Sequence, residues 1–162
     1  MSVGSLQDCL LPTAQLDLSH ARLRITAQKL TQSRQTLPAR AAAIQDFVRR
    51  LPLSASAQPA RVRASQVLMR GYGDAHAKAV LFTALCRAAG LPARAQFLRV
   101  RTEFLAGILQ DRPNTVTHAV AQVHVGDGWV STDGYVVDPV LFAHAKQLLR
   151  EQRPGFGLGH RA

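Results

Sequence analysis

The sequence predicts an α+β protein: helices first, one strongly helical central stretch, then strands joined by a tight turn. Three observations carry this. Between residues 20 and 51, two segments repeat apolar residues at three- and four-residue spacing, the period of a helix with one buried side. Residues 71–94 hold a helix whose start and stop are both legible. After Pro92 the spacing changes to strand-like runs, punctuated by Gly126-Asp127-Gly128.

Taken in order, residues 1–18 are a weakly patterned leader containing Pro12. Ser19 can cap a helix over about 20–33, with Leu23, Ala27 and Leu30 on one side. Thr36-Leu37-Pro38 breaks it. A second helix over about 39–51 puts Ala43, Ile44, Phe47 and Val48 on its buried stripe, and Pro52 closes it. Residues 54–59 are a small-residue loop, and 61–70 form a short helical turn.

The central stretch follows. Gly71 and Gly73 make a turn, and the Asp74 carboxylate can accept the first free amides of the next helix. Residues 75–89 are rich in Ala and Leu and have high helix propensity. Ala75, Ala79, Phe82, Cys86 and Ala89 share one face. Gly90 can take the left-handed conformation that ends a helix, and Pro92 prevents continuation. Strands are expected over 92–102, 117–125 and from Trp129 to Asp133. Residues 104–114 read as irregular. Asp138-Pro139 starts a last helix to about residue 152, and 153–162 is a Gly-rich loose tail. Residues 1–162 are thus one domain, with its core at about 40–138.

The pattern resembles the transglutaminase-like family of thiol enzymes, which has the papain-like cysteine protease fold. There the motif runs Gly-Asp-Cys, helix, Leu-Arg-Ala-Ala-Gly-Ile-Pro-Ala-Arg, then His-Ala, then Asp on the next strand. Here the matching residues are Gly73-Asp74-Ala75, Leu85-Cys86-Arg87-Ala88-Ala89-Gly90-Leu91-Pro92-Ala93-Arg94, His118-Ala119 and Asp133. The resemblance implies a central helix packed on an antiparallel sheet. It also implies the roles: nucleophile at position 75, general base at His118, and Asp133 holding the histidine tautomer. Position 75 holds Ala75.

That departure matters chemically. A thiol enzyme needs a low-pKa nucleophile, a base and a group to orient the base. At the start of a helix, outward amides and the positive dipole end lower a thiol from ~8.5 into the range ~3.5–7.5. Ala75 keeps the amide, which could face an oxyanion, but has no sulfur. Cys86 is no substitute: it lies eleven residues on, about 16 Å along the axis. Asp74 and His76 flank the position but point elsewhere, and no serine or threonine replaces it. His118 and Asp133 can share a sheet face if the hairpin loop holds an even number of residues.

Ala75 therefore admits two readings. Either it replaces a Cys in an enzyme of the thiol acyl-transfer and hydrolase class (peptidase, amidase or transglutaminase), or the natural protein lacks the nucleophile and binds peptides or partner proteins. The expected partners are a peptide or protein substrate or a small amide. A third reading is an Arg-rich nucleic-acid-binding module. The formal net charge is +10, from 20 basic and 10 acidic residues. Of the basic residues 17 are Arg, but they are scattered and no aromatic residues interleave with them, which disfavours that reading. His76, His118, His124 and His144 lack metal-ligand spacing, so no metal or cofactor is expected. No apolar run reaches the ~20 residues of a membrane span. Residues 1–11 lack the basic start and long apolar segment of a secretory signal, which predicts the cytoplasm. Oligomeric state has no signal.

Overall fold

The computed structural model describes residues 5–54, 62–101 and 114–132. Residues 55–59 of the expected loop at 54–59, residues 104–113 of the expected irregular segment at 104–114, Asp133, the helix after Asp138 and the tail lie outside the described residues. A short 3-10 helix (Asp8–Leu10) is followed by α1 (Ala21–Thr31), α2 (Leu37–Arg50), α3 (Ala64–Arg70) and α4 (Ala75–Ala88), and then by β1 (Ala93–Arg101), β2 (Thr115–Val125) and β3 (Gly128–Ser131). The three strands form an antiparallel sheet in the order β1-β2-β3. Helices precede the sheet, and α4 packs on it, as the α+β expectation requires.

Local chemistry explains most boundaries. Pro38 does not end the preceding helix, which stops at Thr31. It sits in the first turn of α2, where its missing N–H costs nothing, and the Thr36 hydroxyl accepts from the Ala39 amide at 3.3 Å. The expected Ser19 cap is not used. His20 occupies the cap position of α1 without a side-chain bond. The Asp74 cap of α4 is as expected: its carboxylate accepts from Ala77 N at 2.8 Å. Gly90, at φ 77°, follows the end of α4 in the conformation where a Cβ would be strained. At the other end Gly73 is needed for space: a Cβ there would come 2.7 Å from the Ala77 Cβ.

One expectation needs correcting. Residues 77–86 of α4 are all buried, not only one face. The reason is that α1, α2 and α3 pack around the helix while β1 and β2 cover another side. Small residues such as Ala77, Ala79 and Ala84 let these neighbours approach closely. Leu23, Ile44, Val48, Val67, Leu81, Phe82, Leu85 and Leu91 fill the surrounding core. The leader is bound to the same unit. Ala64 N donates to Gln15 O at 2.9 Å, the Ser65 hydroxyl donates to Asp17 at 2.5 Å, and Arg87 donates to Leu11 O. Cys9 and Cys86 are buried free thiols, and burial pushes the Cys86 thiol up strongly.

Candidate functional site

The site is built from the chain around position 75. Leu53 forms a parallel bridge with Gly73, Gly73 N donates to Pro52 O at 3.2 Å, and Ser54 N donates to Gly73 O at 3.3 Å. These bonds fix the turn before α4, so the helix begins at a defined place. Ala75 is its first residue and is half-buried. A side chain there stands at the positive end of the helix, whose third amide is taken by Asp74.

Position 76 faces β1. The His76 ring lies 5.3 Å from the Phe97 ring, centroid to centroid, with the planes tilted by 30°. Among the described residues, His76 Nε2 is buried and has no hydrogen-bond partner. Phe97 is opposite Ala119 in the β1–β2 register. Ala119, Ala121 and Val123 are buried against α4. The Phe97–Ala119 side of the sheet is therefore the side that meets the start of α4.

His118 lies on β2 opposite Leu98 and is half-buried. Strand alternation places it out of phase with Ala119, Ala121 and Val123, on the face shared with Val120, Gln122 and His124. To serve position 75, its ring must reach past its own strand. The Gly126-Asp127 loop holds two residues, because Val125 pairs with Gly128. This is the even case, in which even positions of β2 and odd positions of β3 share a face, and two contacts show it. His124 meets Trp129 edge-on at 5.4 Å, and the Gln122 amide donates to the Ser131 hydroxyl at 3.0 Å. Asp133 lies outside the described residues.

Burial lowers the His118 pKa, because it disfavours the imidazolium. The ring is thus neutral at pH 7 and can accept a proton. Protonating it costs more in the folded protein than in the unfolded chain. Stability should therefore fall as pH drops from ~6.5 toward the lower folded value. Thermal melts between pH 7.5 and 5.5 check this: His118→Gln is expected to flatten the slope, and an unchanged slope contradicts the assignment.

Three features escaped the sequence reading. The His76–Phe97 contact depends on strand register, which no local pattern gives. Lys78 reads as a solvent-facing charge, yet it is 1% exposed and its ammonium donates to Arg49 O at 3.4 Å, near the end of α2. Arg94 donates to Gln122 at 2.8 Å and lies 4.1 Å over the Trp129 ring. The arginine therefore ties all three strands together on the face away from α4. Among the described residues, no three His, Cys, Asp or Glu side chains are grouped to hold a metal ion. None of the described helices is long and apolar enough to cross a membrane.

The family model described as the transglutaminase-like superfamily matches residues 24–134. The chain belongs to this superfamily. That match begins in α1 and ends just beyond the described part of the sheet. A search of curated proteins finds no significant match. Among solved structures, the transglutaminase-like chain is similar to a candidate cysteine protease from Cytophaga hutchinsonii, with TM-score 0.67 and 20% identity over 86% of this chain and 45% of that one. It is also similar to a candidate protease from Parabacteroides distasonis, with TM-score 0.54 and 18% identity over 80% of this chain and 26% of that one. A third is the periplasmic domain of TgpA from Pseudomonas aeruginosa, bound to ethylmercury, with TM-score 0.54 and 23% identity over 79% of this chain and 47% of that one. The transglutaminase-like chain spans less than half the length of each of these three structures. These likenesses agree with the papain-like fold that the sequence implied.

Proposed function

We propose that this chain follows the plan of the thiol acyl-transfer and hydrolase enzymes but, with Ala75 at the nucleophile position, binds its ligand without turning it over. The ligand is a peptide, a protein segment or a small amide, held where the thiol enzymes bind their acyl group, at the start of α4. In this reading position 75 is the attacking position, His118 the base and Asp133 the group that orients it. The observation that carries the reading is Ala75 as the first residue of a buried helix, behind the Asp74 cap and the fixed Gly73 turn. The helix end that would favour a thiolate is retained there, and Ala75 supplies no sulfur. The family membership and the protease-like structures support the same class.

In the thiol enzymes a sulfur attacks a carbonyl carbon, the leaving group takes a proton from the histidine, and an acyl-thioenzyme forms. Water or an amine then takes the acyl group. Ala75 cannot make that C–S bond, so the chain as it stands performs no covalent step at position 75.

The test is Ala75→Cys incubated with an activated acyl ester such as p-nitrophenyl acetate, followed by intact-protein mass and peptide mapping. The expected result is an acetyl adduct on residue 75 that is absent from the Ala75 protein. No adduct on residue 75, in a variant with the parent's melting temperature, overturns the acyl-transfer plan.

A further inference from the structure

Residues 11–17, the end of the leader, are fastened to the helices at two places. At one, the Arg87 guanidinium, in the last turn of α4, donates to Leu11 O and, at 2.8 Å, to Ala93 O. At the other, the Asp17 carboxylate accepts from Ser65 N at 3.1 Å and from the Ser65 hydroxyl at 2.5 Å, and Ala64 N donates to Gln15 O at 2.9 Å. Between the two, Thr13 and Leu16 bond to each other, and Leu16 is buried in the core. α3 has seven residues, too few to be stable as an isolated helix. Its first amides have no partner within the helix, and the leader supplies the acceptors for two of them. Ser65 is 4% exposed, so water is no ready substitute. The other end of α3 leads into the turn that precedes position 75. Gly71, at φ 75°, ends α3, and its amide donates to Val67 O at 3.0 Å. Gly73 is wedged between the two helices: a Cβ there would lie 3.5 Å from Val67 Cγ1 and 2.7 Å from Ala77 Cβ.

We propose that residues 11–17 are a clasp on the α3–α4 pair, with Asp17 as a positioning residue for the start of α4. The clasp grips α4 in its last turn and α3 in its first. The joint between the helices, Gly71 to Gly73, is at the end that carries Ala75. With the clasp closed, α3 holds Val67 against Gly73, Gly73 N keeps its bond to Pro52 O at 3.2 Å, and Asp74 meets Ala77 N. With the Asp17 carboxylate removed, the Ser65 amide and hydroxyl lose their acceptor and the first turn of α3 frays. The joint is only about 9 Å of helix away from Ser65, so the loosening reaches it. Two glycines there offer little resistance to a change of backbone angle. Asp17 thus acts on position 75 through α3. The inference rests on the reading of position 75 as the site and names what holds that position in place.

The test uses the full chain with Asp17→Ala, Asp17→Asn and, as a control, Thr31→Ala, which removes a buried hydrogen bond to Ala27 O inside α1. Amide exchange is followed residue by residue by NMR. Asp17→Ala is expected to speed exchange at Gly71 and Gly73 by about tenfold while amides in α2 and β2 keep the parent rates. Asp17→Asn should fall between, because its side chain can accept from Ser65 N and donate to the Ser65 hydroxyl. Thr31→Ala should leave Gly71 and Gly73 as in the parent. Should Asp17→Ala fail to fold, Ser65→Ala, which removes only the hydroxyl bond, decides by the same readout with a smaller acceleration. Uniform acceleration in step with a lower Tm, or acceleration confined to Ala64 and Ser65, overturns the proposal; the leader then serves stability alone. The second arm puts Asp17→Ala into the Ala75→Cys protein and follows iodoacetamide alkylation against pH. The profile is expected to move to higher pH, with the rate near pH ~6 down several-fold, and to recover in part with Asp17→Asn. An activated thiol whose profile ignores Asp17 overturns the proposal and leaves the acyl-transfer plan standing. If the introduced thiol instead titrates like an ordinary one with the clasp intact, while Gly71 and Gly73 still respond to Asp17, the acyl-transfer plan fails and the clasp stands.

Discussion

Phe82→Ala is expected to remove a large part of the folding free energy. Phe82 is fully buried in the middle of α4, in the cluster formed by α1, α2, α3 and the sheet. Its neighbours on α4 include Ala79 and Cys86 one turn away, so little can move in to fill the space. Truncation at such a site costs about 3–5 kcal/mol. A domain of this size has a total of about 5–15 kcal/mol to lose. Urea or thermal unfolding should show a drop in Tm on the order of 10 °C. Phe97→Ala gives the contrast: its ring is mostly exposed, so the change should stay below about 1 kcal/mol. Equal losses at the two positions would mean that α4 is not the centre of the core.

Much of this arrangement is legible in the sequence. The Asp74 cap, the Gly90-Leu91-Pro92 stop and the hairpin turn at Gly126-Asp127-Gly128, though not the length of its loop, are local signals. Each rests on the chemistry of two or three adjacent residues, and each is found in place. The same holds for the periodic stripes of α1 and α2, where Leu23, Ala27, Ile44 and Val48 are buried. What was not legible depends on partners far along the chain. An alanine-rich helix shows the same sequence whether one side or all sides are covered, so the burial of α4 from Ala77 to Cys86 could not be read locally. Lys78 looks like surface because the carbonyl it reaches belongs to the end of α2, 29 residues away. Pro38 read as a break because proline ends one helix and begins another with equal ease.

The candidate site divides in the same way. The place of Ala75 follows from its cap and was read correctly as a helix start. The face on which His118 lies depends on pleat and register, and alternation puts it opposite Ala119. The cytoplasmic expectation rested only on residues 1–11, and one of the similar structures is a periplasmic domain.

The account's central claim is that position 75 retains the means to activate a thiol, and Ala75→Cys tests it through reactivity alone. A thiolate at the start of α4 would be favoured by the helix end, and by His118 if the ring reaches it. The negative sulfur would in turn raise the His118 pKa, which burial lowers in the present chain. The measurement is the rate of iodoacetamide alkylation against pH, by peptide mass, with and without His118→Ala. Cys86, fully buried with its pKa raised, is the internal control and should react slowly. The account predicts fast modification of residue 75 already near pH ~6, where an ordinary thiol of pKa ~8.5 is almost wholly protonated, and a clear slowing when His118 is removed. Modification that follows an ordinary thiol titration and is indifferent to His118 would contradict it.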